Sequence, residues 1–236
     1  MRRRPDYPPA LGTWLRDTIG LGPGRRVLDL GAGTGKFAPL LLATGAEVIA
    51  VEPVAAMRDR LAAAYPAVTV HEGSAKTIPL ADASLDALIC AQSFHWFANA
   101  TALREMARVL RPGGRLGLVR NQRDATIGWV AHLGELVARY EGDAPRAHRG
   151  GWKAAFPAEG FGPLLRADFA FGHSGPAEDV IVARVLSTSF IAALDPAARD
   201  AVAAEVRTLI AGEPALAGET SVTVPYRTEA YSAVRL

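Results

Sequence analysis

The sequence predicts an α/β fold built on a mostly parallel sheet with helices on both faces. Three observations predict it. Apolar runs of strand length alternate with segments of helical length, a glycine turn follows the first run, and an acid closes the second. At 236 residues the chain is long enough to bury one large core.

In chain order, a helix is expected near 10–20, then strands near 25–30, 46–51, 67–71, 85–90 and 114–120. Helices near 35–44, 54–64 and 99–109 fall between them. Pro112-Gly113-Gly114 is expected to end the helix carrying Met106 and Leu110 and to turn the chain into the fifth strand. Beyond Asn121 the alternation breaks. A helix near 125–140 and an irregular stretch at 142–153 read as a lid inserted over a pocket. The sheet resumes with Leu164–Phe171, followed by helices near 177–193 and 196–211 and a final strand within 219–233.

Composition narrows the function classes. Half of the residues are hydrophobic and the net charge is +2, so neither disorder nor a field suited to nucleic acid is indicated. The single cysteine, Cys90, lies in an apolar run and excludes an intramolecular disulfide framework. The basic start is followed by Pro5, Asp6, Pro8 and Pro9 rather than an apolar segment, and no run approaches the ~20 residues of a membrane helix. A cytoplasmic protein is expected, with no membrane partner.

The chemistry is concentrated in Val27-Leu28-Asp29-Leu30-Gly31-Ala32-Gly33-Thr34-Gly35: a strand, an acid near its end, and a glycine turn that opens a helix. A dinucleotide fingerprint needs its third glycine one residue later, where Lys36 stands. A phosphate loop needs Ser or Thr after that lysine, where Phe37 stands. Neither diphosphate pattern fits. Glu52, at the end of Glu47-Val48-Ile49-Ala50-Val51, is placed to receive two ribose hydroxyls of a nucleoside.

This G-x-G-x-G with its preceding acid resembles motif I of the class I S-adenosylmethionine-dependent methyltransferases. Further segments resemble the small-molecule subgroup that includes trans-aconitate methyltransferases: Ala91-Gln92-Ser93-Phe94-His95-Trp96-Phe97, Arg4-Pro5-Asp6-Tyr7-Pro8, Asn121-x-Arg123-Asp124 with Trp129, and Val224-Pro225-Tyr226-Arg227-Thr228-Glu229. The resemblance implies a Rossmann-like seven-stranded sheet with the last strand antiparallel and a helical lid after the fifth. Residues 1–236 then form one domain: an N-terminal helical cap (1–24), a cofactor-binding core (25–121), a lid (122–160) and a completion of the sheet (161–236). Two departures stand out. Gly73-Ser74-Ala75-Lys76 offers no acid to the adenine, and Arg120 occupies a place where the subgroup carries an aromatic residue.

The resemblance also implies roles. Asp29 serves the methionine amino group, Gly31, Ala32 and Gly33 line the cofactor, and Glu52 holds the ribose. Pro53 and Met57 lie near the adenine, with Ser74 and Ala75 on its other side. Gln92 and Ser93 face the methionine portion, and Tyr7 closes over its carboxylate. The cofactor is S-adenosylmethionine and the product S-adenosylhomocysteine.

For the acceptor, the candidate residues are His95, Trp96, Asn121, Arg123, Trp129, Arg149 and Trp152. Arg146, His148 and Lys153 are further cations of the lid. His95 is the candidate general base, with a side chain suited to proton removal near neutrality. It reads equally as a wall of the cofactor pocket. Trp129 with Val130, Leu133 and Leu136 has the spacing of a core stripe as well as of a pocket edge. The five histidines show no paired metal-ligand spacing, so no metal is expected. The expected reaction is methylation of a small molecule, with an oxygen of a carboxylate or phenol as acceptor. A nucleic-acid methyltransferase and a non-catalytic cofactor-binding scaffold are the alternatives, and oligomeric state is not readable.

Overall fold

The computed structural model describes residues 5–141 and 150–236. Seven strands form one sheet: β1 (Arg26–Leu30), β2 (Glu47–Val51), β3 (Thr69–His71), β4 (Leu85–Ala91), β5 (Leu110–Arg123), β6 (Leu165–Gly175) and β7 (Val222–Val234). Their order is β3-β2-β1-β4-β5-β7-β6. The first five pair in parallel. The last strand is antiparallel: Gly113 N donates to Arg235 O at 2.9 Å, Arg235 N to Gly114 O at 2.8 Å, and Asp124 N to Pro225 O at 2.9 Å, so partners descend as β5 ascends. The strand order reverses at β1, and a doubly wound sheet leaves its ligand crevice at the carboxyl ends of the strands on either side of such a reversal.

The helices are α1 (Ala10–Asp17), α2 (Ala38–Leu42), α3 (Ala55–Ala64), α4 (Ala100–Val109), α5 (Gly128–Ala138), α6 (Ala183–Leu186), α7 (Ser189–Ala192) and α8 (Pro196–Gly212). Two of the starts are set by side chains. The Asn99 side chain accepts from Ala102 N at 3.0 Å before α4, and Asp195 accepts from Ala198 N at 2.9 Å before α8, where Pro196 supplies a preset φ.

Three elements differ from their sequence expectation. The helix expected over 35–44 shrinks to Ala38–Leu42, because Gly35 has φ +79° and stands outside the helical region. The turn expected at Pro112-Gly113-Gly114 is instead an irregularity within β5, where pairing jumps from Leu85 with Leu110 to Ala87 with Arg115. The single helix expected over 177–193 is a π-helical turn at Glu178–Val182, then α6 and α7. Ser187 Oγ donates to Arg184 O at 2.8 Å and Thr188 is extended, which breaks the run.

The described residues fall into two compact units. One comprises residues 7–121, 150–169 and 228–236. Strand alternation splits its core between the two sheet faces. Val27, Ala50 and Ile89 pack with Leu11, Trp14, Phe37 and Leu41 on one face. Leu28, Leu30, Leu88 and Cys90 pack with Leu103, Met106, Trp152 and Phe161 on the other. The second unit comprises residues 5–6, 122–141 and 170–227. Its core joins Trp129, Val130, Leu133 and Leu136 of α5 to Val202 and Val206 of α8 and to Val224 and Tyr226 of β7. Among the described residues no helix is long and apolar enough to cross a membrane.

Candidate active site

The glycine turn leaves β1 in left-handed backbone. Gly31 has φ +72°, and a Cβ there would stand 2.7 Å from Ser93 Cβ, so the side facing β4 admits no side chain. Gly33 has φ +60° and meets nothing within 4 Å where a Cβ would project. The turn is therefore closed against the protein at Gly31 and open at Gly33. Gly31 N donates to Val51 O at 2.8 Å, which joins the turn to the end of β2.

Glu52 completes that junction. Its Oε2 accepts from Gly33 N at 2.9 Å and its Oε1 from Val54 N at 3.1 Å, with the residue only 5% exposed. A carboxylate oxygen accepts two hydrogen bonds, so each retains capacity for a hydroxyl donor. Arg58, which the sequence did not single out, fixes the same turn: Nη1 donates to Glu52 O at 3.0 Å and to Pro53 O at 2.7 Å.

Asp29 presents the opposite situation. It is 2% exposed, and neither carboxylate oxygen has a hydrogen-bond partner. Burial, with a smaller contribution from the Glu52 charge, pushes its pKa up to about 7. A buried, unpartnered acid is costly to maintain, and a cationic donor is the group that would satisfy it.

The end of β4 carries the second half of the site. Gln92 has φ +61°, an uncommon conformation for a non-glycine residue, held by Gln92 N donating to Val119 O at 2.8 Å and Nε2 to Asn121 O at 3.1 Å. Ser93 Oγ donates to Leu30 O at 2.6 Å and ties β4 to β1. A short 3₁₀ turn, Phe94–Trp96, then presents His95, whose ring lies 4.9 Å from that of Trp96. A cleft opens here, lined by Cys90 and Gln92–His95 from β4 and its turn, Leu118, Val119 and Arg120 from β5, and Trp152. Arg120 was legible only as a departure from the subgroup pattern.

The remaining expected residues are placed as follows. Tyr7 packs edge-on against Phe37 at 4.8 Å. Ala75 is buried, whereas Ser74 is exposed and its Oγ accepts from Lys76 N at 3.3 Å within a local turn. Met57 and Trp96 are exposed, at 41% and 56%. Asn121 Oδ1 accepts from Thr228 Oγ1 at 2.6 Å. Trp129, whose spacing also suited a pocket edge, is buried in the core of the second unit, because it shares its helical face with Val130, Leu133 and Leu136. Arg123 belongs to that second unit as well. Arg149, like Arg146 and His148, lies outside the described residues. Among the described residues no group of three His, Cys, Asp or Glu side chains is arranged to hold a metal.

The sequence profile of a family described as a methyltransferase domain matches residues 28–118, which contain the glycine turn, Glu52, Gln92 and His95. A methyltransferase-like protein of Schizosaccharomyces pombe, itself uncharacterised, is 38% identical over 230 residues, covering 97% of this chain and 90% of its own. The chain belongs to the methyltransferase family. An uncharacterised methyltransferase of Mycobacterium tuberculosis is 41% identical over 227 residues, or 96% of this chain and 88% of that one. The fold is shared with a solved structure from Anaeromyxobacter dehalogenans, provisionally described as a type II methyltransferase, at a TM-score of 0.73 and 24% identity over 98% of this chain and 97% of that one. It is also shared with geranyl diphosphate methyltransferase solved with S-adenosylmethionine, at a TM-score of 0.53 and 17% identity over 96% and 85%.

S-adenosylmethionine is the methyl donor of class I methyltransferases, and the residues of this methyltransferase fit it on three points of structure. The orphaned Asp29 carboxylate suits an ammonium, the open side of Gly33 leaves room for a ligand against the main chain, and Glu52 retains acceptor capacity for hydroxyls.

Proposed function

We propose that this methyltransferase transfers the sulfonium methyl of S-adenosylmethionine to an oxygen of a small organic molecule, a carboxylate or a phenol, and releases S-adenosylhomocysteine. The observation that carries the reading is the buried carboxylate of Asp29 with both oxygens unpartnered at the head of the glycine turn. When bound, the cofactor supplies an electrophilic methyl group. The chain's own residues have to orient two ligands and exclude water, since in-line displacement at an activated methyl asks mainly for proximity and desolvation.

In this reading Asp29 takes the cofactor's amino group and Glu52 its ribose hydroxyls, with Gly31, Ala32 and Gly33 along the main chain side. Pro53, Met57, Ser74 and Ala75 border the adenine, Gln92 and Ser93 the methionine portion, and Tyr7 its carboxylate. His95 borders the acceptor and takes the proton of a phenol. The likeness of the Ala91–Phe97 segment to that of trans-aconitate methyltransferases favours a small acceptor over a nucleic acid.

Calorimetric titration with S-adenosylmethionine, S-adenosylhomocysteine and NAD tests the cofactor, followed by transfer of labelled methyl to a panel of acids and phenols. Micromolar binding of the first two and labelled esters or ethers are expected. Binding of NAD alone would overturn the reading of the turn, and binding without transfer to any acceptor would leave a scaffold.

A further inference from the structure

Among the described residues that line the cleft beside His95, Arg120 is the one with a formal charge. The residue is 7% exposed, a burial that arginine seldom reaches unless it is paired. Its pairing is incomplete. Nε stands 3.3 Å from Glu229 Oε2 as an ion pair but makes no hydrogen bond.

Glu229 is occupied from other directions. Its Oε1 accepts from Arg166 Nη2 at 3.1 Å and its Oε2 from Tyr231 Oη at 3.1 Å. Arg166 is also paired with Asp168 at 2.7 Å. Lys153 adds a further cation, its Nζ 5.9 Å from the Trp152 ring centre and 5.8 Å from that of Tyr231. Among the described residues, Arg120 and Arg166 therefore share the Glu229 carboxylate, and the Arg120 side chain also lines the cleft. Trp152 supports the guanidinium at 5.5 Å without neutralising it. Burial lowers the pKa of Arg120, with Glu229 opposing that effect, yet a guanidinium stays charged throughout the physiological range.

We propose that Arg120 is the receptor for an anionic group of the methyl acceptor, so that the cleft selects small carboxylic acids with an apolar stem over neutral molecules of the same shape. The inference rests on the methyl-transfer reading above, narrows its two acceptor classes to the acid and adds the residue that recognises it. Guanidinium geometry matches a carboxylate bidentately, and Phe94, Leu118 and Trp152 offer apolar surface to the stem. The reaction balances without a base. One carboxylate oxygen forms the new bond to the methyl carbon while the carbon–sulfur bond breaks towards sulfur. A carboxylate and a sulfonium are thereby converted into a neutral ester and a neutral sulfide, with no proton released.

The test is titration of the full chain, with and without saturating S-adenosylhomocysteine, by benzoate, sorbate and trans-cinnamate, each against its amide. Heat and tryptophan fluorescence are followed, with Trp152→Phe identifying the emission that responds. The proposal expects at least one acid to bind tenfold or more tighter than its amide. Arg120→Met should erase that preference while leaving S-adenosylhomocysteine affinity within about twofold, and Arg120→Lys should restore part of it. Glu229→Gln, which removes the competing carboxylate, should tighten acid binding several-fold, an effect that a packing role for Arg120 does not produce. An unchanged preference in Arg120→Met, a parallel loss of S-adenosylhomocysteine affinity, or no preference for any acid in the wild type would each overturn the proposal. Failure of the wild type to bind S-adenosylhomocysteine would instead remove the methyl-transfer reading, and the titrations without cofactor would still decide the role of Arg120.

Discussion

Gly33 N donates to Glu52 Oε2 at 2.9 Å, so the carboxylate read from sequence as a ribose ligand also holds the glycine turn in place. The second oxygen is held by Val54 N, and the side chain spans the turn after β1 and the turn after β2. Glu52→Ala removes both bonds and leaves two backbone donors to find new partners. S-adenosylhomocysteine affinity is expected to fall more than tenfold, with a loss of stability of roughly 1–3 kcal/mol, read by calorimetry and thermal melting. Glu52→Gln retains one acceptor oxygen and should fall between the two. Unchanged affinity in Glu52→Ala would remove this residue from the cofactor site.

Gly31 and Gly33 separate folding from binding. An alanine at Gly31 combines φ +72° with a 2.7 Å approach to Ser93 Cβ, so Gly31→Ala should lower the melting temperature markedly. Gly33→Ala carries backbone strain of about 1 kcal/mol and no clash, and its methyl group fills the space assigned to the ligand. It should melt within a few degrees of the wild type yet lose S-adenosylhomocysteine binding. Retained binding would place the ligand elsewhere.

What the sequence revealed of this site was what lies close together along the chain. The strand, the acid Asp29, the glycine turn and the Glu52 that answers it fall within two successive strand–turn–helix units, so spacing alone brings them together as candidates. Arg120 of β5, Trp152 of the short turn Gly151–Ala155 and Glu229 of β7 come from three distant segments, and no local pattern announces such a cluster. Trp129 illustrates a second limit. Helical spacing with Val130, Leu133 and Leu136 states that these residues share a face, but whether that face meets a core or a pocket depends on what α8 and β7 bring to it. The break at Ser187 and Thr188 was hidden for a third reason. A side chain bonding to its own backbone competes with a helix whose composition is otherwise favourable.

Asp29 makes stability and binding depend on pH in opposite directions. Its pKa is near the ordinary carboxylate value when unfolded and about 7 when folded, so between roughly pH 4 and 7 the folded chain holds a proton that the unfolded chain has lost. Its stabilising contribution is therefore full below the unfolded pKa and is lost as pH rises through 7. The cofactor-free protein should melt at a lower temperature at pH 8 than at pH 6, and Asp29→Asn should flatten that difference. Affinity for the cationic amino group of S-adenosylhomocysteine should rise over the same interval, because the carboxylate is then ionised. A melting profile equally steep in Asp29→Asn would assign the dependence to another group.

His95 distinguishes the two acceptor chemistries. Its ring borders the cleft on the turn after β4 and lies against Trp96. A phenol has to lose its proton to become a competent nucleophile near pH 7, and a positioned base contributes roughly 10²–10⁴-fold. A carboxylic acid is already ionised there and needs no base. His95→Ala is accordingly expected to reduce methylation of a phenol by at least 100-fold and that of an acid by less than tenfold, compared in initial rates of labelled methyl transfer. Equal and small effects on the two acceptors would mean that His95 walls the cleft, and the proton of a phenol would then have to leave through another group or through water.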